Sequence, residues 1–167
     1  MRQHAVVASG DLRVSDRTVV MATVGSALGG RFDFGGVRYD VLPGPVIGAA
    51  VGHRFVEGRG AAPFVLGTAS LAASFVSTRA GDDRDRFSAA DARIGVVVGK
   101  TFGPVSPYVL ARAFGGPIWW KGTTGTDLYH YNLGLGLSLG PLGGFDLGAE
   151  VSLLGERRAT ASAGFTF

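Results

Sequence analysis

The sequence contains no cysteine, no long apolar run and few charged residues for its length. The absence of cysteine excludes disulfide bonds, thiolate metal ligands and a thiol nucleophile. No stretch approaches the roughly 18 consecutive apolar residues that a membrane-spanning helix needs. Charged residues make up 17% of the chain, below the ~25% of ordinary soluble domains. An ordinary soluble domain and a helical membrane protein are therefore both disfavoured.

Glycine is abundant instead, with 28 glycines in 167 residues. The net charge of +3 comes from scattered basic residues. Because no run of lysine or arginine forms a basic arm, the sequence predicts no nucleic-acid partner. No metal site is predicted, because the three histidines are dispersed, and no cofactor or catalytic residue is assigned. The acidic residues near 82–85 lack the glycine and the final glutamate of an EF-hand loop.

The clearest pattern is an alternation of apolar residues with small or polar ones, over residues 129–139, 145–153 and 158–167. A period of two predicts β-strands that have one apolar face. A chain that spans a bilayer without helices must form a closed barrel, because hydrocarbon leaves free backbone groups without hydrogen bonds. The sequence therefore predicts an all-β, antiparallel, up-and-down transmembrane β-barrel.

The strand count depends on the N-terminal region. Four further strands are predicted over residues 45–56, 62–78, 87–102 and 106–119. We expect eight strands if residues 17–41 supply one strand and a loop. The alternative is ten, with separate strands at 18–28 and 31–41 and another at 3–9; both counts are even, as is typical of bacterial barrels. Residues 1–16 are then an N-terminal segment, periplasmic or a partial first strand, and residues 17–167 are the barrel.

The connections are predicted to alternate in length. Residues 103–107 and 140–144 combine glycine with proline and predict tight turns. Residues 80–86 and 121–127 are polar and predict longer loops. Short turns at one end of a barrel and longer loops at the other are typical of outer-membrane proteins.

The face opposite the apolar residues predicts a filled, polar lumen without an open pore. An eight-stranded barrel has room inside only for side chains, and charges buried there must pair. Strand parity predicts that the lumen network consists of Arg54, Asp91, Arg93, Arg112, His130, Asn132, Asp146 and Glu150. Arginine and carboxylate are present in equal number, so the network can be neutral.

Aromatic residues lie near the predicted strand ends, where membrane-interface girdles belong. The predicted girdle consists of Tyr108, Trp119, Trp120, Tyr129, Tyr131, Phe165 and Phe167. Such residues place an apolar ring in lipid and, for Tyr and Trp, a polar tip at the headgroups.

Residues 45–167 resemble small bacterial outer-membrane barrels of the OmpA/OmpX-like superfamily. The resemblance rests on the alternation, the turn pattern and the closing Ala163-Gly164-Phe165-Thr166-Phe167. It implies a place in the outer membrane of a Gram-negative cell envelope, with the lipid bilayer and lipopolysaccharide as partners. It also implies that Phe165 and Phe167 form the signal read by the barrel-assembly machinery, and that the protein is a monomer.

The start of the sequence does not read as an export signal, because Met1–Ala8 is too short for an apolar signal core. An outer-membrane location therefore requires a signal outside this sequence. The function expected is structural or surface-interacting, without an open pore.

Two alternatives remain open. One is a lipid-modifying barrel enzyme: lipid A deacylases use a His, a Ser two residues later and a Glu, and here His130, Asn132 and Glu150 stand in comparable places. The other is a soluble, lipocalin-like barrel that carries a small apolar ligand. In that case the leucines of residues 133–137 would face inward.

Overall fold

The computed structural model describes residues 2–126 and 130–165. Strands, joined by turns and short loops, account for this part of the chain, and none of it forms a helix able to cross a bilayer. The strands are β1 (Arg2–Ser15), β2 (Thr18–Phe34), β3 (Val37–Val41), β4 (Gly44–Glu57), β5 (Phe64–Ala80), β6 (Asp83–Gly99), β7 (Val105–Gly115), β8 (Pro117–Trp120), β9 (Thr123–Thr126), β10 (Tyr131–Leu142), β11 (Phe145–Gly155) and β12 (Arg158–Phe165).

All the strands belong to one antiparallel sheet. Hydrogen bonds link them in the order β1-β2-β3-β5-β6-β7-β10-β11-β12, a path nine strands wide. β4 pairs with β2 and β5 beyond the end of β3, and β8 pairs with β6 beyond the end of β7. Neighbours on this path are antiparallel, so the direction alternates from strand to strand. Because the path contains nine strands, its first and last strands, β1 and β12, run in the same direction. Within residues 2–126 and 130–165, these two strands do not pair with each other.

The sheet curls until distant strands touch across its inner face. The rings of Phe32 on β2 and Trp120 on β8 have centroids 5.3 Å apart. Four strand spacings separate β2 from β8 along the sheet, which is roughly 19 Å if the sheet is flat. The sheet therefore wraps around an enclosed space and forms a small barrel.

The all-β antiparallel class is confirmed, but the count of eight strands is wrong, and so is the alternative of ten: the described residues form twelve. Residues 1–16 include a full strand, because β1 pairs with β2 along nearly its whole length. Gly35 and Gly36, both with positive φ, turn β2 into β3. Pro43 separates β3 from β4, and proline has no N–H for a sheet hydrogen bond. Gly116 separates β7 from β8, and the pairing with β6 is interrupted there between Gly115 and Ile118.

The prediction of long polar loops at 80–86 and 121–127 is also wrong for the residues that the structure describes. β5 and β6 pair up to Ala80 and Asp83, so only Gly81 and Asp82 form the turn. β8 and β9 likewise leave only residues 121–122 as the turn. Polar residues continue in the strands there because cross-strand pairing satisfies their backbone groups as well as a loop in water would.

The alternation of faces is confirmed. On β10, Leu133, Leu135 and Leu137 are 42%, 52% and 40% exposed. Asn132, which points to the opposite face of the same strand, is 0% exposed. The same outward apolar pattern occurs on β4, β6 and β11. The lipocalin-like alternative required the leucines of β10 to face inward, and it is wrong on this point.

Candidate functional site: the enclosed polar face

An ion pair joins two strands across the inner face of the sheet. Arg112 on β7 donates from Nη1 and Nη2 to the two carboxylate oxygens of Glu150 on β11, the second bond measuring 2.9 Å. The side chains are 22% and 14% exposed. β10 lies between these strands and contributes Gly134 and Gly136 to the inner face. Because glycine has no side chain, the arginine and the glutamate can meet above it.

A second ion-pair cluster lies on the neighbouring strand. The guanidinium of Arg93 on β6 bonds Asp91 on its own strand and, at 2.8 Å, Glu156 beyond the end of β11. The same guanidinium lies over the ring of Phe114, 4.6 Å from its centroid. Charge pairing and the ring together hold Arg93 in one place. Two arginines therefore meet three carboxylates, rather than forming the neutral set that parity predicts.

Two uncharged polar side chains lie deeper. Asn132 on β10 is fully buried and Ser152 on β11 is nearly so. Neither the amide of Asn132 nor the hydroxyl of Ser152 has a hydrogen-bond partner among the described residues. Buried polar groups without a protein partner are rare and commonly bind ordered water. These two residues make the middle of the inner face polar without a fixed charge.

One end of the enclosed space is filled by aromatic rings. Trp120 packs edge-on against Phe32 and Tyr39, with centroids 5.3 and 4.8 Å away. Its indole Nε1 donates to the hydroxyl of the buried Thr78 at 2.9 Å. The next residue, Lys121, lies near the Tyr39 and Trp120 rings. This group joins β2, β3, β5 and β8 at the end of the barrel that carries the 121–122 turn.

Lys121 links the aromatic group to Asp85, close to the turn between β5 and β6. Its ammonium forms a 3.2 Å ion pair with Asp85 and donates to the hydroxyl of Tyr39. The hydrogen bond to Asp85, followed by that to Tyr39, raises the pKa of Lys121. The amine therefore stays charged across the physiological range.

Three members of the predicted lumen network lie elsewhere. Arg54 keeps the inner-face register of Leu66 and Val97, but it is exposed because it lies close to the end of β4. His130 is exposed as well, with Nδ1 3.3 Å from the carbonyl oxygen of Phe114. Asp146 is half-buried near Gly140, at the start of β11, whereas Glu150 lies in the middle of that strand. Asp91, Arg93, Arg112, Asn132 and Glu150 are the predicted members that lie together on the inner face.

The aromatic girdle also needs correction. Tyr108 faces inward and lies against Gly136, on the same face of β7 as Arg112. Trp120 faces the aromatic group described above. Trp119, Tyr131 and Phe165 are exposed on the outer face, as a girdle requires. Tyr129 and Phe167 lie outside the described residues.

Glu156 is the charged residue of this site that the sequence does not predict. It follows β11, where strand alternation no longer assigns a face. Phe32 and Tyr39 were also missed, because residues 17–41 read as one strand and a loop. The positive φ of Gly35 and Gly36 is the feature that brings these two rings opposite each other.

The contacts of this site are those of a structural ion-pair network. Glu150 is held by Arg112, and His130 bonds a backbone carbonyl, so the two groups of the enzyme alternative serve different partners. Asn132 stands where that alternative needs a serine. In the ranges 2–126 and 130–165 no three His, Asp or Glu side chains group as metal ligands.

Comparison of the chain with protein-family models, curated proteins and solved structures finds no match. The function is therefore argued from the geometry of the chain itself.

Proposed function

We propose that this chain is a bacterial outer-membrane β-barrel protein with a filled polar lumen and a structural or surface-interacting role. The observation that carries the proposal is the distribution of the two faces. Leucine, isoleucine, valine and phenylalanine side chains are exposed on many strands, while paired charges and small polar residues are enclosed. In water this arrangement exposes far more contiguous apolar surface than soluble monomers tolerate, whereas in lipid it is the favourable one.

We infer a role other than that of a porin, because side chains occupy the inner face of the sheet. Arg112, Glu150, Arg93 and Phe114 occupy the middle of the inner face, and the Trp120 group lies at one end. An open, water-filled pore requires a wider barrel. The proposed partners are accordingly the bilayer and lipopolysaccharide around the outer face, with Phe165 and Phe167 as the signal for the barrel-assembly machinery.

The two free strand edges set a condition on this proposal. β1 and β12 each have one edge without a partner in the part of the chain that the structure describes. Unpaired backbone groups cost several kcal/mol each in hydrocarbon, so in a bilayer these edges must be paired. Since β1 and β12 run in the same direction, pairing them with each other gives a parallel closing pair.

The proposal is tested by refolding the full chain in detergent and in lipid vesicles. We expect a β-rich circular dichroism spectrum, a gel mobility that changes on boiling, and resistance to carbonate extraction from vesicles. We also expect no stepwise conductance in planar bilayers, because the lumen is filled. A chain that stays monomeric and soluble without detergent would overturn the membrane assignment, and large conductance steps would overturn the filled lumen.

A further inference from the structure

The first four residues of β6, Asp83-Arg84-Asp85-Arg86, are neutral as a sequence but not as a surface. Side chains along a strand point alternately to its two faces. Asp85 lies opposite the buried Thr78 on β5 and faces inward. Asp83 shares that face, so both arginines face outward. The strand therefore separates the two signs of charge and leaves the positive ones on the outer face of the sheet.

A third arginine joins these two from β5. Arg79 lies directly opposite Arg84, and Arg86 lies two residues further along the same face of β6, about 7 Å away. Like charges directly opposite each other on two strands are destabilising. In the part of the chain that the structure describes, none of these three exposed arginines, which we call the arginine cluster, forms an ion pair. An anion between the guanidinium groups would relieve their repulsion.

The nearby acidic residues on this face do not neutralise the arginine cluster. Asp40 on β3 lies opposite Arg79, but its carboxylate forms a 3.2 Å ion pair with Arg31 on β2. Asp82 is exposed in the turn between β5 and β6. With Arg31 included, four arginines face two carboxylates, so this part of the outer face is positive.

The arginine cluster begins where the apolar outer face ends. On β5 the outward residues from Val65 to Phe75 are apolar or glycine. This run covers about 34 Å along the strand, or about 25 Å of height at the usual strand tilt, which matches the apolar band of outer-membrane barrels. Phe75 and Trp119, on either side of Ser88, are the exposed aromatic side chains at its limit. Arg86 lies two residues beyond Ser88, so the arginine cluster is at the level of the lipid headgroups.

We propose that the arginine cluster binds the phosphate of an anionic membrane lipid whose acyl chains lie against Phe75 and Trp119. Cations near a membrane surface attract anionic lipid, and guanidinium groups form paired, charge-assisted hydrogen bonds to phosphate oxygens. A lipid fits this place better than a free phosphate, because one lipid molecule contacts both the arginines and the aromatic side chains beside them. The site rests on the proposed function, because it requires the outer face to lie in lipid.

The site is tested by native mass spectrometry of the full chain refolded in a zwitterionic detergent, with equimolar phosphatidylglycerol and phosphatidylcholine of the same acyl chains. We expect phosphatidylglycerol to be retained preferentially. Arg84→Ala should lower its retention about fivefold, the effect of one surface cation, and Arg84→Lys should lower it less. The matched control is Arg59→Ala, which removes an exposed arginine from the opposite end of the barrel and should leave retention unchanged.

Urea unfolding of the same variants separates a binding role of Arg84 from a structural one. Because Arg84→Ala removes one of two like charges that face each other, it should not lower the unfolding midpoint in the zwitterionic detergent. Added phosphatidylglycerol should raise the midpoints of the wild type and Arg59→Ala, since a ligand of the folded state stabilises it, and should raise that of Arg84→Ala less. A lower midpoint of Arg84→Ala without anionic lipid would show that Arg84 has a protein partner and would overturn the site.

Three binding results would also overturn the site. The first is equal retention of the two lipids by the wild type, and the second is an equal effect of Arg84→Ala and Arg59→Ala. The third is competition by glycerol 1-phosphate as effective as by intact phosphatidylglycerol, since the aromatic side chains would then add nothing.

The boiling-dependent gel shift, recorded on every sample, separates this inference from the proposed function. A wild-type chain that shows the shift but no lipid preference overturns the site alone. A chain that never shows the shift overturns the membrane barrel itself.

Discussion

The ion pair between Arg112 and Glu150 gives the sharpest prediction for stability. Arg112→Ala removes two hydrogen bonds to a carboxylate that is 14% exposed and leaves that carboxylate on the inner face without its arginine. Breaking a fully buried pair by removing one partner costs about 3–5 kcal/mol. Because both side chains keep some exposure, we expect a loss of about 2–4 kcal/mol in the free energy of unfolding. Lost packing of the arginine stem against Gly95 contributes to this value.

Lys121→Ala is the matched control. Lys121 also pairs with a carboxylate, but the side chains of Lys121 and Asp85 are 35% and 37% exposed. Exposed pairs contribute about 0–1 kcal/mol. Both variants remove one positive charge, so a difference between them reports where the charge lies rather than the change in net charge.

The assay is urea unfolding of protein refolded in detergent micelles, followed by the fluorescence of Trp119 and Trp120 and by the boiling-dependent gel shift. A double-mutant cycle with Glu150→Gln should give a coupling energy of about 1–3 kcal/mol. Equal and small effects of Arg112→Ala and Lys121→Ala would refute the inward placement of this pair. So would a coupling energy near zero, since it would mean that the two groups do not interact.

Three further predictions follow from other contacts. Asn132→Leu should change the free energy of unfolding by less than about 1 kcal/mol, because it replaces a buried amide that has no protein partner by an apolar group of similar size; a loss above that in urea unfolding would show that the amide is bonded. Gly136→Val should cost about 1–3 kcal/mol in the same assay, because its side chain would collide with the ring of Tyr108, and an unchanged midpoint would contradict the inward position of that ring. Cysteines placed at Ala8 on β1 and along residues 159–163 on β12 should form a disulfide in vesicles if the two free edges pair in lipid, and the absence of any crosslink would mean that another strand covers them.

Strand alternation was sufficient to predict which face is exposed. Leu133, Leu135 and Leu137 recur every second residue, and so do the small and polar residues opposite them. The same rule applied strictly would have placed Tyr108 inside, because it shares parity with Arg112. Its place near a strand end favours the girdle instead, but position along a strand does not determine the direction of a side chain.

The strand count could not be predicted, because it depends on single residues that interrupt pairing. Gly116 divides the run 106–119, which reads as one strand, while Gly35 and Gly36 turn the region 17–41, which reads as one strand and a loop. Glycine is frequent throughout the chain, both inside strands and at turns. A glycine in the sequence therefore does not distinguish a strand from a turn.

The contacts across the barrel were also out of reach. Arg93 meets Glu156 and Trp120 meets Thr78 only because the sheet curls. The residues of these pairs are 63 and 42 positions apart, and no local pattern links them. Parity gives the direction of a side chain, whereas the partner depends on the curvature of the whole sheet.

The absence of native cysteine makes a direct test of the central claim, that the apolar face lies in lipid, straightforward. A single cysteine is introduced at Leu135 on the outer face or at Ser138 on the inner face, labelled with an environment-sensitive fluorophore, and measured in vesicles that contain brominated lipid. The account predicts strong quenching and a blue-shifted emission for the label at position 135, with little quenching at position 138. Equal, water-like emission at both positions, together with protein that remains soluble without vesicles, would contradict it.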